Sequence, residues 1–194
     1  MNNIINLLFN DINNIIKKKK NTIIVIDGMA CSGKTTLTKV ISDNFDCRII
    51  HMDDFFLPIE LRTKDRLDTP GGNIHYERFL TEVISSLDND IKYRRFNCSI
   101  MDYDEEIVLP YKPLTIIEGS YSSHPIFGKF YDYMIYTELN LDLQQNRILK
   151  RDGERLLQMF NEKWLKYESI YFNHYKIKDK ANIVIKDMDV LNVR

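Results

Sequence analysis

Two glycines, a lysine and two threonines crowd one short stretch, Gly28-Met29-Ala30-Cys31-Ser32-Gly33-Lys34-Thr35-Thr36, at the exit of the apolar run "TIIVID". The pattern GxxxxGK[ST] between a strand and a helix turns backbone N–H groups inward, forming an anion nest at the positive end of the helix. Lys34 then reaches the β- and γ-phosphates of a nucleoside triphosphate, and the Thr35 hydroxyl supplies a magnesium ligand. The expected ATP cradle is therefore Gly28, Ala30, Cys31, Ser32, Gly33, Lys34, Thr35 and Thr36. The competing reading is an accidental glycine-rich turn, and the strand before and helix after it argue against that. Cys31 invites a redox-switch role, but a small residue filling a tight loop accounts for it.

Acids follow at two further strand ends. "IIHMDDFFLP" places Asp53 and Asp54 at the carboxyl edge, where ligands of open α/β sheets collect. A phosphotransferase needs one carboxylate there to orient an acceptor hydroxyl and take its proton, and two adjacent carboxylates can divide the work. The bland alternative is a pair of exposed loop acids. "TIIEGSY" places Glu118 where it can bind magnesium directly or through water. "NRILKRDGERL" spaces Arg147, Arg151 and Arg155 at i, i+4 and i+8, one face of a continuing helix, where an arginine row can neutralise a transferring phosphoryl group. A solvated face paired with Asp152 and Glu154 competes with that reading.

Three classes of protein hold a triphosphate in this way: switches, motors and small-molecule kinases. A guanine-nucleotide switch carries NKxD and DxxG segments, and neither is present. A motor needs more chain than the 194 residues here.

The elements that must position these residues read as five buried strands, "TIIVID", "CRIIHM", "LTIIEG", "YMIYTE" and "ANIVIK", with amphipathic stretches near 35–44, 75–87, 141–151 and 161–175 between most of them. Such alternation predicts an α/β fold with a five-stranded parallel sheet, helices on both faces and a helical lid near 147–160. An N-terminal helix within 1–20 carries Ile4, Ile5, Leu8, Ile12, Ile15 and Ile16 on one stripe and ends in four lysines. No repeat or linker interrupts the pattern, so residues 1–194 read as one domain. Two segments leave the sheet: 57–73, which holds Arg62, Lys64 and Arg66 among few apolar anchors and is expected to order around an acceptor, and 96–113, a hairpin or an irregular loop.

Composition excludes several classes. A formal net charge of -1 argues against bulk nucleic-acid binding, and no apolar run approaches the roughly 20 residues of a membrane helix. The lysines near the N-terminus follow the apolar residues, the reverse of a signal peptide's order. Cys31, Cys47 and Cys98 form neither a disulfide framework nor a zinc motif, which suits a reducing cytoplasm.

Taken together, GMACSGKTT, MDDFF after the second strand, IIEG after the third and RILKRD in the lid position resemble the uridine kinase and phosphoribulokinase group of P-loop kinases, which includes nicotinamide riboside kinases. The resemblance runs in order and spacing over roughly residues 22–185. It implies Asp53 as the catalytic base, Arg147 and Arg151 as lid arginines beside Lys34, Arg155 with less support, and Glu118 as the strand-end acid, with Asp54 left to magnesium or local hydrogen bonds. The aspartate that grips ribose in uridine kinases is absent, since "GGNIHYERF" offers only Asn73, His75 and Glu77. His75 and Tyr76 stand in for it as expected substrate contacts, together with Tyr93 of "KYRRFNC" and Arg147. "EKWLKYE" is similar to a tryptophan-containing helix of nicotinamide riboside kinases, although a lone tryptophan such as Trp164 is more often core. The resemblance implies ATP and Mg2+ and a small-molecule acceptor. A pyrimidine nucleoside leads, nicotinamide riboside or another small alcohol is the alternative, and a nucleotide-binding regulatory ATPase is the alternative of another class. Self-association is left open.

Overall fold

Successive residues of the first apolar run face opposite sides of a sheet, and both sides are covered. The computed structural model describes residues 2–187. In chain order the elements are α1 (Asn2–Ile16), β1 (Thr22–Gly28), α2 (Lys34–Ser42), β2 (Cys47–His51), α3 (Lys64–Asp68), α4 (Tyr76–Arg78), β3 (Ile91–Asn97), β4 (Asp102–Leu109), β5 (Leu114–Glu118), β6 (Tyr133–Glu138), α5 (Leu141–Met159), α6 (Leu165–Tyr175) and β7 (Ile183–Lys186). Every residue of β1 is buried. Ile24 and Ile26 pack with Leu8 and Ile12 of α1, Leu37 and Ile41 of α2, and Ile116 and Ile135 of the flanking strands. Ile23 and Val25 face the other way, into a core with Phe55, Phe79, Ile117, Met134 and Tyr171. A run with no polar face is what a parallel strand covered on both sides requires.

The five-stranded sheet is parallel, in the order β2-β5-β1-β6-β7. Val25 of β1 lies opposite Ile117 of β5 and Met134 of β6. Strands consecutive in the chain are not neighbours here: β5 runs between β1 and β2, pairing Ile116 with both Ile24 and Ile49. Glu118, at the end of β5, thereby stands between the two.

The N-terminal helix belongs to the core. Leu8 and Ile12 are fully buried, and Tyr133 of β6 donates to Asp11 at 2.7 Å. The 96–113 excursion is the greater part of an antiparallel hairpin that starts earlier, at Ile91, with Tyr93 opposite Ile107. Segment 57–73 is better tied than its few apolar residues suggest. Arg66 donates to the carbonyls of Gly72 and Ile74 and to both oxygens of Glu77, with its guanidinium 3.6 Å from the centroid of the Tyr76 ring. The helical face expected to carry Arg147, Arg151 and Arg155 is interrupted: Gly153, at φ 80° and ψ 173°, breaks the regular backbone inside α5. A left-handed φ of this kind is what glycine tolerates without a Cβ penalty.

Candidate functional site

The end of β1 must turn sharply into α2, and two glycines permit it. Gly28 has φ 142°, and a Cβ there would stand 2.1 Å from the carbonyl oxygen of Thr137 on β6, so only glycine fits. Gly33 caps α2 with φ 95°, and Cys31 between them takes φ 59°. The Ser32 hydroxyl bonds that of Thr137, and the Met29 N–H donates to the Thr137 carbonyl, so β6 holds the loop from outside. α5 holds it from the other side: Gln144 Nε2 donates to the Ala30 carbonyl and Arg147 Nη1 to that of Cys31, both at 3.1 Å.

Lys34, the first residue of α2, turns back over the loop. Its Nζ donates to the carbonyls of Gly28 and Met29 at 2.9 and 2.8 Å and reaches Ser120 Oγ at 3.4 Å. Thr35 Oγ1 donates to Glu118 Oε1 at 3.2 Å. The same carboxylate oxygen meets His51 Nδ1 at 2.7 Å, and this bond holds the His51 pKa above the usual imidazole value. Asp53 lies in a 3-10 turn, Met52–Phe55, directly after β2. Its side chain opens to the solvent of the cavity, but protein walls surround it. Desolvation raises its pKa, opposed by the charge of Lys34 and reinforced by Glu118.

One cavity of about 1100 Å³ gathers these groups. Ala30, Cys31, Ser32, Gly33, Lys34, Thr35 and Thr36 line it, with Asp53, Glu118, Arg147, Arg151, Arg155 and Trp164. Gly28 lies behind it, its carbonyl accepting from Lys34. Arg151 pairs with Asp152 at 2.8 Å.

Four expected placements are corrected. Asp54 turns away from the cavity to accept a hydrogen bond from the Tyr93 hydroxyl at 2.8 Å, so neither joins the wall. Adjacent residues leaving one turn point in different directions, and only Asp53 points inward. His75 turns to Glu77 at 3.1 Å, while Tyr76 lies under the Arg66 guanidinium; both are outside the cavity. Asn73, two residues before His75, does line it.

Two buried carboxylates of the site escaped the sequence reading. Asp27, the last residue before Gly28, continues the side of β1 that faces α6. It accepts from the N–H groups of Gly28, Tyr121 and Ser123 and from the hydroxyls of Ser123 and Tyr171. Glu168 of α6 accepts from the Ala30 N–H at 3.0 Å and from Ser120 Oγ at 2.6 Å. Burial raises both pKa values, while their hydrogen bonds, and Lys34 in the case of Glu168, pull the other way. An acid at the buried end of β1 is the one signal the sequence offered for Asp27; Glu168 looks like any helical surface acid. Asp27→Ala is expected to lower the unfolding free energy by roughly 3–5 kcal/mol, because each buried donor left unpaired costs about 1–3 kcal/mol and water recovers part of the sum. Urea denaturation checks this, and a loss under about 1 kcal/mol would show the network to be dispensable.

Among the described residues no group of three or more His, Cys, Asp or Glu side chains is placed to hold a metal ion. Thr35 Oγ1 and the Glu118 carboxylate are hard oxygen donors already in contact, and such a pair suits Mg2+, which takes few protein ligands and completes its shell with phosphate oxygens and water.

Among the described residues no helix is long and apolar enough to cross a membrane. No family model and no curated protein matches the chain. Solved structures do. A possible uridine kinase from Bacillus stearothermophilus superposes with a TM-score of 0.67 at 18% identity, over 92% of this chain and 98% of that one. Phosphoribulokinase from Rhodobacter spheroides gives 0.54 at 13% identity, over 90% of this chain and 74% of that one. D-glycerate 3-kinase from Cryptococcus neoformans gives 0.54 at 12%, over 86% of each chain. At these identities the likeness is one of fold, and the fold is that of the P-loop kinases.

Proposed function

We propose that the chain is an ATP- and Mg2+-dependent kinase that phosphorylates a hydroxyl of a small metabolite. One observation carries the reading: Asp53 opens onto the same cavity as Lys34, close enough for the lysine's charge to act on its carboxyl, with the Thr35–Glu118 pair at the same wall. A nucleotide holder needs the loop; it has no need of a carboxylate facing it across an open space.

In this reading the loop N–H groups bind the phosphates, and Lys34 exchanges its carbonyl partners for phosphate oxygens. Thr35 and Glu118 hold Mg2+, which when bound offsets charge on the phosphates. Asp53 accepts the proton of the acceptor hydroxyl, its raised pKa making it a better base than an ordinary aspartate. Arg147 and Arg151 on α5 neutralise the transferring group, and residues 147–160 serve as the lid of a single domain.

The nucleoside acceptor keeps fold-level support from the possible uridine kinase. It loses residue-level support, because His75, Tyr76 and Tyr93 lie off the cavity. The three free cysteines fit a reducing cytoplasm. ADP release measured with Mg-ATP against a set of hydroxylated acceptors tests the proposal. Acceptor-dependent turnover is expected; nucleotide binding without stimulated turnover would favour a regulatory ATPase instead.

A further inference from the structure

Segment 57–73 carries two half-buried arginines that are used differently. Arg66 spends its donors on protein: two backbone carbonyls and both oxygens of Glu77. Arg62 makes one such bond, from Nε to the Leu57 carbonyl at 2.7 Å. That bond fixes the plane of the guanidinium. Among the described residues no carboxylate forms an ion pair with it, although it lines the cavity. A guanidinium has five N–H donors in a rigid fork, and the two outer nitrogens match the paired oxygens of a carboxylate or phosphate.

Its place within the cavity is that of the acceptor. Arg62 belongs to the same connection as Asp53, after β2, whereas the basic residues suited to the triphosphate come from α2 and α5. The thiol of Cys98, at the hairpin tip, feels the charges of both Asp53 and Arg62, which puts all three in one neighbourhood. Arg62 is nevertheless not the counter-ion of Asp53, whose leading charged neighbours are Lys34, Glu118, Asp54 and His51. Asn73 lines the same cavity.

The geometry points to an acceptor that is a small hydroxylated acid, its carboxylate or phosphate seated on Arg62 and a hydroxyl near Asp53. This rests on the kinase reading and narrows it: a neutral nucleoside leaves a positioned guanidinium facing the acceptor without its anion.

The test is ADP release by the purified chain with Mg-ATP, offering uridine and glycerol as neutral acceptors, D-glycerate as a carboxylate and ribose 5-phosphate as a phosphate ester. An anionic acceptor is expected to stimulate release at least about 10-fold more than either neutral one, the answering arm identifying the anion. Arg62→Gln is expected to raise the KM of that acceptor roughly 10- to 100-fold, with kcat and the KM for ATP within a few-fold, and Arg62→Lys to recover part of the loss. A thermal melt confirms that each variant is folded. A neutral acceptor used as well as the acids, or an unchanged acceptor KM in folded Arg62→Gln, overturns the inference and leaves the kinase standing. Nucleotide binding with no stimulation by any of the four overturns both.

Discussion

Asp53→Asn is expected to lower acceptor phosphorylation by at least about 100-fold while ATP affinity stays within a few-fold. The substitution keeps the shape of the side chain and removes the base. General-base assistance is worth roughly 100- to 10,000-fold in rate, whereas under the proposed function ATP is held mainly by the loop, Lys34 and the Thr35–Glu118 pair. The structure also supplies a control one residue away. Asp54 accepts from the Tyr93 hydroxyl and does not line the cavity, and an asparagine oxygen can still accept that bond. Asp54→Asn should therefore cost less than about 10-fold.

The pH profile gives a second readout. Asp53 must be deprotonated to act, so kcat/KM should fall as pH drops through its pKa. That acid limb should sit above the ordinary aspartate value of 3.8, because desolvation raises the pKa. Asp53→Asn should abolish the limb. Were Asp54→Asn the more damaging change, the base would be misassigned; were neither to slow turnover, general-base transfer would be wrong for this chain.

The strands and the glycine-dependent turn from β1 into α2 were legible because their signals are local. An uninterrupted apolar run is required of a parallel strand covered on both faces, and two glycines at fixed spacing are required where Thr137 crowds Gly28 and α2 begins at a left-handed φ. What the sequence hid was relational. Nothing in "TIIEG" says that its strand inserts between the other two, yet that insertion brings Glu118 to both Thr35 and His51. Nearness along the chain also misled. His75 and Tyr76 lie just beyond Asn73, but Glu77 and Arg66 hold them on the far side of the segment, and Tyr93 is engaged by Asp54. The arginine spacing predicted one continuous helical face, and Gly153 breaks it although all three arginines still line the cavity. Glu168 was invisible for the same reason: its partners, Ala30 and Ser120, are 138 and 48 residues away in the chain.

Lys34→Ala is expected to cut ATP turnover on the order of 100-fold or more while leaving the fold intact. In the structure the ammonium rests on the Gly28 and Met29 carbonyls and reaches Ser120, in a half-buried position with no apolar packing role. The Gly28 carbonyl keeps the Ser120 hydroxyl as a donor at 2.9 Å, so losing the lysine should change stability by no more than about 1 kcal/mol at neutral pH. The small change should itself depend on pH. Glu168 is buried beside the loop with a raised pKa, and the charge of Lys34 is the leading influence that lowers it. Without Lys34 that pKa rises further. A buried acid with a raised pKa binds its proton more tightly when folded, so stability falls as pH climbs from the unfolded value through the folded one. The variant should therefore melt closest to the wild type in mild acid and fall further below it as pH rises to neutrality. Differential scanning calorimetry across that range, run beside ATP titrations, separates the two effects. A folded variant with unchanged ATP turnover would remove the basis for reading Gly28–Thr35 as a phosphate loop, whereas a gap in melting temperature that does not vary with pH would show that Lys34 does not compensate Glu168.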